Sequence, residues 1–129
     1  MGDFRELTTW QKAMSLAEEI YSATNSFPSA EIYNLTAQLR RSAVSIPSNI
    51  AEGQGRSHDG DFSKFLLNAR GSAYELETQL ELASRLHYLD SAASSMLIKH
   101  TEEVSRMLNG MLRSLGKDST SRRRLSSSV

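Results

Sequence analysis

Apolar positions recur every three or four residues along most of the chain, the spacing of amphipathic helices, while alternating strand patterns are nearly absent. Four such stretches stand out. The first runs from about Thr9 to Thr24, with Trp10, Ala13, Met14, Ala17, Ile20 and Tyr21 as one stripe. Thr8 is placed to cap it, and Gln11 completes a capping box. Asn25-Ser26-Phe27-Pro28-Ser29 then breaks the pattern. The second stretch runs from Ile32 or Asn34 to Glu52 and is stopped by Gly53 and Gly55. The third begins near Asp59 or Asp61, acids that suit the positive start of a helix, and continues to about Leu89. Its Phe62, Leu66, Ala69, Ala73, Leu76, Leu80, Ala83 and His87 alternate steps of four and three, a heptad seam that ends on a histidine. The fourth runs from Asp90, a good N-cap, to Leu115, with Gly116 as its stop. Its stripe is Ala93, Leu97, Val104, Leu108, Met111 and Leu115. Long amphipathic helices with short connections pack as antiparallel neighbours. The expected fold is therefore all-α, an antiparallel up-down-up-down four-helix bundle over 1–116. Residues 117–129, KDSTSRRRLSSSV, lack periodicity and are expected to form a disordered, basic tail.

The second helix has more apolar surface than one core face requires. With Leu35 at zero and about 100° per residue, Leu35, Leu39, Ala43, Ile46 and Ile50 occupy the core arc. Ala37, Val44, Pro47 and Ala51 carry the apolar surface on to about 200°, with Arg40 among them. One reading is a helix well buried in its own bundle. The preferred reading is that Ala37, Arg40, Val44, Pro47 and Ala51 pack against another subunit. Pro47 removes a backbone bond to Ala43 and should kink the helix, which would steer it round such a neighbour.

Composition suits one soluble domain: 129 residues, 39% apolar and 23% charged. The absence of cysteine excludes disulfides, thiolate metal sites and a cysteine nucleophile. MGDFRELTTW lacks the apolar run of a signal peptide, and no stretch of ~18 apolar residues exists, so the expected compartment is the cytoplasm. Fifteen basic residues balance fifteen acidic ones, but unevenly. Residues 1–116 carry a net of −3 and residues 117–129 a net of +3. Arg40, Arg41, Arg56, Lys64 and Arg70 outnumber the acids around them, whereas 75–103 is strongly acidic.

WQKAMSLAEEIY, LTAQLRRSAVSIPSNIAEGQGR and FSKFLLNARGSAYELETQLELASRLHYL resemble the four-helix-bundle proteins of the 23S ribosomal RNA intervening-sequence family, almost continuously over residues 3–90. The fourth helix and tail match only in pattern. The resemblance implies a homopentameric ring, encoded within insertions in ribosomal RNA genes and elsewhere in bacterial genomes. Related bundles act as accessory proteins to the reverse transcriptases of diversity-generating retroelements, where the pentamer binds nucleic acid and the polymerase; that role is the weaker carry-over. His87 departs from the family, which often has a small residue before the tyrosine.

The constellations that catalysis needs are missing. No Glu-x-x-His pair of the kind that holds iron in bundles occurs, and His58, His87 and His100 share no metal spacing. Gly53-Gln54-Gly55-Arg56 follows a helix and lacks the Lys-Ser/Thr ending of a phosphate loop. No serine elbow, cofactor motif or small-molecule substrate site is evident. Arg70 lies among small residues, where pairing with Glu52 or Glu75 would specify register, or where it could instead contact phosphate. Binding is the better expectation than catalysis. Arg40, Arg41, Arg56, Lys64 and Arg70 on the body, with Arg122, Arg123 and Arg124 on the tail, are the candidate contacts to RNA or DNA. Several copies on one ring would multiply weak affinities by ~10²–10⁴. The competing reading is an assembly module that touches only protein, its tail merely solubilising.

Overall fold

The computed structural model describes residues 2–56 and 58–126, the last ten as backbone alone. A 3₁₀ turn at Phe4–Glu6 leads into α1 (Thr8–Thr24), and a second at Ser29–Glu31 into α2 (Leu35–Gln54). α3 (Asp59–Arg85) and α4 (Ser91–Ser126) follow, and the described residues contain no strand. α1 and α3 each pack against α2 and α4, while the diagonal pairs are not backbone neighbours, so the four helices form a square bundle. Cross-contacts give their directions. Gly53 faces Phe62 and Phe65, whereas Ser45, earlier on α2, bonds Ser72, later on α3. Lys12 pairs with Glu103 and Glu19 with His100, so α1 and α4 also run oppositely.

The predicted stripes supply the core. Ala13, Leu16 and Ile20 of α1 meet Leu39, Ala43, Ile46 and Ile50 of α2, all 1% exposed or less. The α3 seam is buried from Leu66 to Ala83, and α4 adds Leu97, Val104 and Leu108. Each large aliphatic buried in this way stabilises the fold by about 1.5–3 kcal/mol. Leu16, outside the predicted stripe, is core, whereas Met14 and Tyr21, inside it, are exposed. The α1 core face is therefore rotated from the predicted one.

Several ends differ from expectation. Thr8 is the first residue of α1, and Leu7 takes the cap position without a side-chain bond. The Gln11 amide donates to the Arg5 carbonyl at 2.8 Å, tying the Phe4–Glu6 turn to the helix instead of closing a capping box. Gly53 does not stop α2; it lies buried within it, because a side chain there would strike α3. Asp90 is the expected cap, its Oδ1 accepting from the Ala93 amide at 2.7 Å. The α4 backbone continues past Gly116, which costs a helix only about 1 kcal/mol when no proline follows. The side chains of the expected tail, Arg122, Arg123 and Arg124 included, lie outside the described residues.

α3 ends four residues earlier than the pattern suggests, and His87 explains why. It has φ of 64°, the left-handed region, and is exposed. The Tyr88 amide donates to the Ala83 carbonyl at 2.9 Å and the His87 amide to the Ser84 carbonyl at 3.0 Å. This pair of bonds is a Schellman closure with a histidine where glycine is favoured. The heptad seam thus finishes at Ala83. Tyr88 continues into a tether, its hydroxyl donating to Glu31 Oε2 at 2.9 Å and its ring 5.4 Å from Phe27. His87→Gly removes the left-handed penalty but loosens the unfolded chain. The expected net is a gain of roughly 0.5–1 kcal/mol, seen as a higher midpoint in urea. A lower midpoint would show that the histidine carries no strain, because only the entropic cost of glycine would then remain.

Candidate functional site

The excess apolar surface of α2 faces an open groove. Trp10, Met14, Ala17 and Tyr21 of α1 form one wall, and Val44, Pro47 and Ala51 of α2 the other. Glu18 and Ser48 complete a cavity of about 520 Å³ whose walls are otherwise apolar. Met14, Tyr21 and Val44 are 37%, 45% and 41% exposed, large side chains left uncovered by the protomer. The groove exists because α1 presents Ala13, Ala17 and Ile20 inward while Met14 and Tyr21, one residue on from Ala13 and Ile20, turn outward.

The five residues predicted for a subunit contact divide. Val44, Pro47 and Ala51 line the groove, although Pro47 is already buried within the protomer. Ala37 is half-buried and lies outside the lining. Arg40 closes one end. Its Nε donates to Thr24 Oγ1 at 2.9 Å and one Nη to Asn25 Oδ1 at 3.1 Å, with its guanidinium 4.7 Å from the Tyr21 ring centroid. A second bond from the same Nη, at 3.5 Å, reaches the Tyr21 carbonyl in the last turn of α1, where a cation suits the negative helix end. Sequence reasoning identified the α2 wall and missed the groove itself. The available signal was the pair Met14 and Tyr21, seven apart and hence on one face of α1.

Among the described residues, the predicted basic side chains do not converge on one site. Arg41 is exposed beside a polar cleft lined by Ser42, Ser45, Ser72, Glu75 and Gln79. Arg56 and Lys64 are exposed at the opposite end of α2, about 22 Å away at 1.5 Å per residue. Arg56 lies over the Phe65 ring, 4.9 Å from its centroid. Arg70 is half-buried, and the expected ion pair is absent: among the described residues no ion pair joins it to Glu52 or Glu75. Its Nη1 donates instead to Asn109 Oδ1 on α4 at 2.9 Å. Glu75, five residues on, is about 140° round the helix, so α4 and not α2 supplies the partner.

Acidic side chains gather on the α3–α4 seam. The Glu77 carboxyl is raised above its ordinary 4.5, first by burial and then by the carboxylates of Glu102 and Glu81. The folded state therefore holds a proton that the unfolded chain has released, and stability falls as pH rises through this range. Glu77→Gln is expected to raise the melting temperature at pH 7, with the gain vanishing below the carboxylate range, near ~pH 3. Equal gains at both pH values would contradict the charge origin. Among the described residues no cluster of acids and histidines could hold a metal, and no helix is long and apolar enough to cross a membrane.

Comparison with known proteins bears on the fold and the lineage. A solved structure from Bacteroides thetaiotaomicron, a protein with unknown function from the S23 ribosomal protein family, superposes with a TM-score of 0.74. It is 24% identical and covers 81% of this chain and 98% of its own. At that identity it supports the helical architecture alone. No curated protein matches the sequence. The family model for 23S rRNA-intervening sequence proteins matches residues 5–110, which span α1 to α3 and most of the core of α4. Matched over most of its length, the chain belongs to the 23S rRNA-intervening sequence protein family.

Proposed function

We propose that this protein is a non-enzymatic scaffold that assembles as a homo-oligomer through the α1–α2 groove and holds RNA or DNA on its basic surfaces. The groove carries the reading: a 520 Å³ apolar channel with exposed Met14, Tyr21 and Val44 is costly to leave in water and lacks the convergent polar groups of a substrate pocket. A pentamer is the assembly that the sequence resemblance suggests. Nucleic acid would be held by Arg41, Arg56 and Lys64, whose side chains are exposed, and by the tail arginines. Arg40 and Arg70 are committed to bonds within the protomer and serve structure first. With these contacts dispersed, affinity would depend on several copies acting together, and a reverse transcriptase would meet the assembly, not the single chain.

Light scattering and a gel-shift salt series on the same sample test both halves. The expected results are a mass several times 14.3 kDa and retention that collapses from low to moderate salt. Retention should weaken further when residues 117–129 are deleted. No retention at any salt would leave the assembly module that touches only protein. A single-chain mass would remove the scaffold altogether.

A further inference from the structure

Resting on the assembly reading above, we infer that the α1–α2 groove of one copy is filled by the outer ridge of α3 from a second copy, so that copies join head to tail. α3 bears a second apolar surface that the bundle leaves uncovered: Leu67, Tyr74 and Leu82 are 47%, 49% and 46% exposed. At about 100° per residue they fall within roughly 80° of one another. Gly71 lies between them, and a methyl group built there meets nothing within 4 Å, so the backbone itself is open to a neighbour. α3 is not a neighbour of α1, which places ridge and groove on different sides of the protomer.

Shape, charge and arity select this occupant. Two concave grooves pressed together would leave their floors unfilled and forfeit dispersion contacts, whereas a single helix ridge can enter. Tyr74 and Leu82 are about 12 Å apart along α3, close to the roughly 10 Å from Val44 to Ala51 on the groove wall. Glu18 is the one acidic side chain in the lining, and Arg40 stands at one end of the groove, held by Thr24 and Asn25. Arg85 stands five full turns beyond Leu67, on the line of the ridge, exposed and with no described partner, so the contact joins opposite charges. Glu75 and Glu81 flank the ridge, both exposed and about 20° round the helix beyond Leu82 and Tyr74. Finally, one self-complementary patch generates a two-fold dimer, but two distinct patches generate a head-to-tail chain that closes into a ring when the rotation allows.

Two full-length variants test the pairing. Val44→Glu blocks the groove and leaves the ridge; Tyr74→Glu with Leu82→Glu blocks the ridge and leaves the groove. All three positions are exposed in the protomer, and circular dichroism verifies that each variant stays helical. Each alone is expected to scatter as a single chain. Mixed in equal amounts they form a 1:1 dimer and nothing larger, because one intact groove and one intact ridge remain to meet. Native mass spectrometry with one variant isotope-labelled reads that composition. An assembled parent whose ridge variant keeps the parent's mass overturns the inference while sparing the assembly reading, as does a mixture that yields no dimer. A parent that is itself a single chain overturns both.

Discussion

Val44→Glu is expected to reduce the protein to single helical chains of 14.3 kDa. In the lone protomer the new carboxylate reaches water, so the fold itself should change by no more than about 0.5 kcal/mol. Across an interface the same carboxylate would be pressed among Trp10, Met14 and Tyr21, while the nearest cation, Arg40 one turn earlier, is already held by Thr24 and Asn25. An unpaired buried charge costs ~3–5 kcal/mol, which at ~1.4 kcal/mol per tenfold weakens each contact by about two to three orders of magnitude. Light scattering at micromolar concentration resolves a loss of that size. Nucleic-acid retention should fall with the mass if copies act together, and should survive if one chain suffices. A variant that keeps the parent's mass would show that this groove is not intersubunit.

The same substitution at two glycines should have opposite signs. Gly53→Ala places a methyl 2.8 Å from Phe65 Cβ and 2.9 Å from Phe62 Cδ1. The Phe62 ring can turn aside, but Phe65 Cβ moves only with the α3 backbone. Overpacking of this kind costs about 1–3 kcal/mol. At roughly 4 °C per kcal/mol for a chain of this length, the melting temperature should drop by several degrees. Gly110→Ala meets only the Arg113 guanidinium, at 3.9 Å, and gains helix propensity of about 1 kcal/mol. Thermal melts of both variants separate the explanations. If both rise, α2 and α3 do not approach closely at Gly53.

Helix number, order and most of the core were legible because they depend on periodicity alone. Leu39, Ala43, Ile46 and Ile50 fell where a 100° step puts them, and Leu66 to Ala83 followed the heptad. Features that depend on a second element were not. Gly53 looked like a stop because a glycine required for close packing has the same letter as one required for a turn. The Arg70 partner was sought on α2 and its own helix, but α4 delivers Asn109. α1 seemed to own one wide stripe, and only its packing shows that Met14 and Tyr21 belong to the outside. The α2 surplus was visible as an arc too wide for one face; its α1 wall and the α3 ridge emerge only when the bundle is closed.

The square arrangement, with sequential helices side by side, has a consequence for how the chain reaches it. Three of its four seams join segments adjacent in sequence and need only short loops to close, a topology that favours rapid folding. The seam between α1 and α4 alone must bring together residues some 80 to 90 positions apart, as Lys12 with Glu103 and Glu19 with His100 do. That seam carries the entropic burden of the whole fold, so it should be the last to form and the first to open.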